Sequence, residues 1–370
     1  MILEKNYVDE KERFETTSEL LRKYKFLKKE IIGNSHCGRK IEAYSVGNVN
    51  EQILFCGAFN GTESITTYLL LKFLDDVCSS ATTGGNLCDI KVDRFLKRRG
   101  IVVVPCVNPD GVEIASNGAV SSGRYENFVS NTSNGQTEKW QANANGVDIN
   151  NNFNAKWEQL HMLEEQNEIN GSAITMYGGR YAHSEPETMA IVDFCKSRNI
   201  RHAMAIHSEG EEIYWSFGEK TPPRAKIMAN ILSESSGYKL SEVQGFTLGG
   251  GFKDWFIHEF NRPAFKIEVG KGEKPLPISQ KDEIYEKIKE MLTLSLIMWW
   301  LDEKSAPRRN FGRPLYEATP HTTNQQSPVA IVDWSRKPCQ RRGLRGRPKL
   351  FQKNCKRYFV CSFFMRVFSK

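Results

Sequence analysis

Three short stretches carry side chains able to do chemistry. Asn60-Gly-Thr-Glu63 follows one apolar run, His207-Ser-Glu-Gly follows another, and Glu268 lies inside Phe265-Lys-Ile-Glu-Val269, just ahead of Gly270-Lys-Gly. A carboxylate and an imidazole are ligands for a catalytic divalent ion that keeps one position open. A second carboxylate beside such an ion is a general base for hydrolysis. Singly, these residues say less. A His just past a strand is commonly an ordinary polar edge residue. A Glu within an apolar strand is sharper, because burying a carboxylate is costly without a partner or a task.

The elements around them place all three stretches alike. Ile53–Phe59 is a short apolar run that reads as a buried strand, and Thr62–Val77 has the apolar spacing of an amphipathic helix. Gly100–Val107 is β-branched and reads as a second buried strand, closed by Asn108-Pro-Asp-Gly as a turn. Residues 114–145, rich in Asn, Ser and Gly, read as a long irregular loop. Ser184 is placed to cap a helix over Glu185–Ser197, with Glu187 at the capping-box position. His202–His207 and Ala264–Val269 read as strands, and Pro222–Ser235 and Gln280–Leu301 as helices. Alternating strands and helices predict an α/β domain with a mixed, mostly parallel central sheet flanked by helices. Such sheets bind ligands beyond the carboxyl ends of their strands, where the three stretches fall.

Composition bounds the rest. The chain has 370 residues and a formal net charge of +7. Residues 302–370 hold 16 Lys/Arg and 4 Asp/Glu, a balance of +12, which leaves −5 on residues 1–301. The positive charge therefore belongs to the C-terminal segment and says little about a partner for the body. A hydrophobic content of 39% with 11% aromatics excludes a disordered chain. Nine scattered cysteines without CxxC spacing fit buried thiols in a reducing compartment and no cysteine zinc site. No signal peptide or membrane span is read, and the expected location is cytoplasmic. Residues 1–303 are read as one domain and 304–370 as an irregular basic tail, with Arg336–Arg347 its most basic run.

Six motifs then occur in order: Gly57-Ala-Phe-Asn-Gly-Thr-Glu-Ser-Ile-Thr-Thr67, Val107-Asn-Pro-Asp-Gly-Val112, Gly146-Val-Asp-Ile-Asn-Asn-Asn-Phe153, Ser184-Glu-Pro-Glu-Thr188, His207-Ser-Glu-Gly-Glu-Glu-Ile-Tyr-Trp215 and Lys266-Ile-Glu-Val-Gly-Lys-Gly-Glu273. Over about residues 15–301 the sequence resembles the zinc metallocarboxypeptidase family, nearest its bacterial γ-D-glutamyl-diaminopimelate endopeptidases. The resemblance implies one Zn²⁺ and a peptide or muropeptide substrate. Glu63 and His207 match two metal ligands. Asn60 stands where the family has its first ligand His, and offers only a weak amide oxygen. Glu268 matches the base that takes a proton from the attacking water and passes it to the leaving amine.

The resemblance also assigns the substrate pocket. Asn150 and Asn151 stand where carboxypeptidases have an Asn-Arg pair for a terminal carboxylate, and Phe246 stands near the family's mobile Tyr. Gln141 and Asn145 fall where relatives more often carry basic residues. Lys253 falls near the base of the specificity pocket, where a cation favours an acidic group such as the distal carboxylate of diaminopimelate. His183 is a substitute ligand or, as a loop residue, a solvated one.

Three readings follow: a zinc peptidase acting on a muropeptide amide, a pseudo-peptidase that binds peptide without cleaving it, and a protein that binds nucleic acid or an anionic surface through its tail. A chain truncated after residue 303 is expected to fold as the longer chain does. Loss of its cooperative thermal unfolding transition would show that the boundary is misplaced.

Overall fold

The computed structural model describes residues 7–242 and 249–298. Phe246, the 303 boundary and the basic tail lie outside the described residues. The chain begins with α1 (Glu10–Lys23) and the strands β1 (Lys28–Asn34) and β2 (Lys40–Gly47). It continues through β3 (Gln52–Gly57), α2 (Ser64–Thr83), the two-residue strands β4 (Asn86–Leu87) and β5 (Ile90–Lys91), α3 (Val92–Arg98), β6 (Gly100–Val104) and α4 (Pro109–Asn117). Then come α5 (Glu126–Ser133), α6 (Trp157–Gln166), α7 (Pro186–Lys196), β7 (Ile200–Ser208), β8 (Glu212–Tyr214) and α8 (Pro223–Ser236). The last elements are β9 (Lys239–Ser241), α9 (Phe252–Phe260), β10 (Ala264–Val269) and α10 (Lys281–Ile297).

Eight strands form one sheet in the order β1-β2-β6-β3-β7-β10-β8-β9. The four central strands β6, β3, β7 and β10 are mutually parallel, while β1, β2 and β8 join antiparallel. This is the mixed, mostly parallel sheet expected. The central strands are near-continuous apolar runs because helices cover both faces: every residue of β3 and β6 is buried. A core cluster packs Leu54, Val102, Ala203 and Ala264 of these strands against Ile191 and Phe194 of α7 and Phe252, Trp255 and Phe256 of α9. Cys56, Cys106 and Cys195 are buried free thiols. Among the described residues no helix is long and apolar enough to cross a membrane.

Several local expectations change. The helix predicted to end at Val77 runs on to Thr83, because Thr82 and Thr83 turn their hydroxyls back onto the carbonyls of Cys78 and Ser79. It stops where Gly84 takes a left-handed φ of 67°. Asn108-Pro-Asp-Gly is not a turn but the start of α4: Asn108 caps it by accepting from Gly111 N at 2.9 Å, and Pro109 takes the first position. The loop predicted over 114–145 contains α5 and a 3₁₀ stretch over Ala119–Tyr125. Ser184 is not the cap of α7. Glu185 holds that position without a capping bond, Pro186 begins the helix, and Ser184 Oγ donates to Glu185 Oε1 at 2.7 Å.

The segment leaving β3 is held from outside. Asn108 Nδ2 donates to the carbonyls of Phe59 and Ala142 at 3.0 and 3.1 Å, and Gly61 N donates to Gln141 O at 2.9 Å. Gly61 has to be glycine: a Cβ there would lie 2.4 Å from the carbonyl oxygens of both Gly111 and Trp140. Gly61→Ala is therefore expected to cost about 3 kcal/mol or more, at the upper end of overpacking effects, read as a lower urea midpoint.

Candidate active site

Register assembles the site. In the parallel pair β7–β10, Glu268 is the direct partner of His207, and Lys266 of Ala205. Side chains two apart on a strand share a face, so His207, Lys266 and Glu268 emerge on one side of the sheet. Glu63 comes from the short 3₁₀ turn Gly61–Glu63 between β3 and α2, for which Asn60 is the preceding residue. The three stretches singled out in the sequence thus meet at the carboxyl ends of β3, β7 and β10.

Glu63 is fully buried. Its Oε1 accepts from Ser208 N at 3.3 Å and from Lys274 Nζ at 3.2 Å. Its Oε2 lies 3.1 Å from His207 Nδ1, but accepts no hydrogen bond. Burial alone would raise this carboxyl's pKa; the neighbouring His207, Lys274 and Lys266 outweigh it and bring it to about 2. His207 lies flat against Phe59, with ring centroids 5.1 Å apart, and its buried Nε2 has no partner. Asn60, also buried, donates its Nδ2 to Asp148 Oδ1 at 2.9 Å.

Glu268 pairs through Oε1 with Lys266 Nζ at 2.6 Å, and its buried Oε2 has no hydrogen-bond partner. Beside it is a cavity of about 280 Å³ lined by Asn150, Asn151, Lys253, Lys266, Glu268 and Lys274 among others. Asn150 Oδ1 accepts from Phe252 N at 3.4 Å, and Asn151 Nδ2 donates to Met176 O at 2.9 Å. Lys253 lines the cavity, and its charge is matched internally. It is buried, pairs with Asp254 and donates to Ser216 O at 2.7 Å.

Other residues singled out in the sequence have structural work elsewhere. His183 is half-buried: it packs edge-on against Phe153 and Trp255, and its Nε2 accepts from Asn154 N at 2.9 Å. Asn145 Nδ2 faces Glu185 Oε2 at 3.4 Å, and Gln141 contributes its main-chain carbonyl to Gly61. Sequence reasoning missed Lys266, Lys274 and Asp148 as members of the site. Lys266 had a signal, since it is two residues from Glu268 on a strand. Lys274 had none, because its partner is distant in sequence.

His36, Glu185 and Glu187 also gather ligand atoms within 4.8 Å of one another. They are satisfied among themselves. His36 Nε2 meets Glu185 Oε2 at 2.7 Å, and Asn143 Nδ2 donates to Glu185 and Glu187 at 2.7 and 3.1 Å. Burial pushes Glu187 up to about 7, so it can stay neutral in this network.

Since Lys253 and Asp254 are buried as a pair, removing one strands the other. Lys253→Met is expected to cost about 3–5 kcal/mol in urea unfolding, with most of it recovered in Lys253→Met/Asp254→Leu. A change within about 0.5 kcal/mol would instead mark Lys253 as an ordinary surface lysine.

Comparison with known proteins bears on the family and the fold. A model of the family described as zinc carboxypeptidase matches residues 15–293. The chain is 35% identical over 266 residues to γ-D-glutamyl-L-diamino acid endopeptidase 1 of Lysinibacillus sphaericus; the match covers 71% of this chain and 66% of that protein, just under two thirds of its length. Among solved structures it resembles thrombin-activatable fibrinolysis inhibitor, with a TM-score of 0.63 at 18% identity, covering 80% of this chain and 75% of that one. It also resembles carboxypeptidase A of Helicoverpa armigera, with a TM-score of 0.58 at 16% identity, covering 81% and 74%. These structural likenesses carry the fold, and the family match carries the kinship: this chain belongs to the zinc carboxypeptidase family of peptidases.

Proposed function

We propose that the protein is a metallopeptidase that hydrolyses an amide bond in an acidic peptide. The substrate class is the γ-D-glutamyl–diamino acid bond in the name of the Lysinibacillus relative, and the sequence resemblance adds that the bond lies in a muropeptide. The observation that carries this reading is the facing of His207 Nδ1 and Glu63 Oε2, 3.1 Å apart with no hydrogen bond accepted by that oxygen. Two ligands at 2.0–2.1 Å from a tetrahedral Zn²⁺ stand about 3.3 Å apart, so the pair fits a shared ion. Asn60, whose amide nitrogen is engaged by Asp148, has its amide oxygen left to offer as a weak third ligand.

When bound, zinc polarises the scissile carbonyl and makes water acidic enough to lose a proton near neutral pH. The remaining work falls to side chains. Glu268 Oε2, buried and unpartnered, takes the proton from the attacking water while Lys266 holds Oε1. The water oxygen bonds to the carbonyl carbon, the C–N bond breaks, and Glu268 delivers the proton to the departing nitrogen. Asn150, fixed through its Oδ1 by the Phe252 amide, is the side-chain amide placed to donate to a substrate carboxylate. Lys253, Lys266 and Lys274 line the cavity that an acidic group would enter, each already paired with a carboxylate: Asp254, Glu268 and Glu63.

One observation favours the second reading, a peptide-binding pseudo-peptidase: the first ligand position is an amide. Zinc content of protein purified with zinc, paired with an amide-cleavage assay, separates the two. Glu268→Gln is expected to lose about 10²–10⁴-fold in cleavage while zinc stays bound. Asn60→His is expected to bind zinc more tightly and cleave faster. A wild-type protein without zinc and without cleavage, with both appearing in Asn60→His, would establish the pseudo-peptidase.

A further inference from the structure

The carboxylates at the cavity are matched with lysines one for one: Asp254 with Lys253, Glu268 with Lys266, Glu63 with Lys274. The third pair differs from the first. Lys253 and Asp254 are both buried inside the fold. Lys274 stands off the sheet, on the segment after β10, and reaches back to Glu63 with its own side chain 25% exposed while the carboxylate is 0% exposed. A carboxylate at that depth cannot be left without a counter-charge. Its counter-charge here is an ammonium with water within reach, on a side chain whose long stem gives it other places to go.

We infer that Lys274 is a resident counter-cation that competes with a divalent ion for Glu63 and is drawn off when an anionic group enters the cavity. The inference rests on Glu63 being a metal ligand, as proposed above. A divalent ion on Glu63 would set like charges side by side in a region of low dielectric, where they repel strongly. Glu63 therefore serves the ion or the ammonium at full strength, but not both. Lys274 lines the same cavity as Lys266 and Asn150, so a carboxylate bound there offers the ammonium another partner. By linkage, an acidic ligand and the metal then raise each other's affinity.

The test compares wild type, Lys274→Met and Lys274→Arg, each with and without Asn60→His. It reads zinc affinity by competition with a chromophoric chelator, and the urea midpoint of metal-free protein. Lys274→Met is expected to bind zinc about tenfold more tightly, a typical size for such coupling, and to have a lower metal-free midpoint. Lys274→Arg, which keeps the charge, should stay near wild type in both. Glutarate as a dicarboxylate probe should tighten zinc binding in wild type and not in Lys274→Met. Unchanged zinc affinity in Lys274→Met overturns the competition, and an unchanged metal-free midpoint overturns the counter-cation. If no variant binds zinc even with Asn60→His, the metallopeptidase reading falls and the competition with it. The midpoint would then still decide whether Lys274 balances Glu63.

Discussion

A carboxylate taken out of water has to meet a positive charge or give up its own, and three of them crowd one end of this sheet. Glu63 is held between His207, Lys274 and the Ser208 amide, Glu268 by Lys266, and Asp254 by Lys253. Each pairing constrains the chain around it. Glu63 ties the turn after β3 to the end of β7 and to the segment beyond β10, Lys266 and Glu268 fix one face of β10, and Lys253 and Asp254 anchor the start of α9. Three loops that would otherwise wander over a sheet edge converge on one cavity because their charges must be satisfied there.

That arrangement depends in turn on a register with no freedom to slip. β3, β7 and β10 are buried along nearly all their length, and a shift of one residue would turn Glu268 and Lys266 into the opposite layer. The turn carrying Asn60 and Glu63 is set by a second device, the packing of Gly61 against two carbonyls and the three-way grip of Asn108 on Phe59, Gln141 and Ala142. Backbone hydrogen bonds from a buried Asn side chain thus do for the turn what the ladder does for the strands.

Much of this was legible in residue order, and what escaped has a common cause. The central strands were readable because burial on both faces makes them continuous apolar runs, and Ala264–Val269 was delimited as observed. Glu268 stood out as a charge in such a run. The long stretch after α4 was not readable, since its helices are short and polar and Asn143 and Asn145 bond to carboxylates about 40 residues away. Ser184 looked like a cap by local pattern, yet Pro186 took the first turn and Glu187 was recruited into the His36–Asn143 network. Lys253 lines the cavity, and its neutralisation by the adjacent Asp254 depends on both being buried, which order along the chain does not reveal. Lys274 is the extreme case: its meaning comes entirely from Glu63, 211 residues away.

On the proposed reading, Asn60 is a ligand position changed without loss of the site's shape. A metal-binding His ordinarily passes its second ring N–H to a carboxylate, which fixes the ring's orientation. Asn60 makes the corresponding bond, donating to Asp148 at 2.9 Å, and Asp148 in turn receives Asn150 N at 3.1 Å and Met176 N at 3.2 Å. The support for a ligand at this place is therefore complete although the side chain is an amide. A turn whose only constraint was a metal would relax once the ligand changed. This one is held by Asp148, by the Asn108 grip and by the close approach at Gly61, none of which needs an ion. With Lys274 balancing Glu63, the substitution leaves no buried charge exposed. On the proposed reading, the physical cost of Asn at this position therefore falls on metal affinity and hardly at all on folding, so the fold can persist intact whether or not the chemistry does.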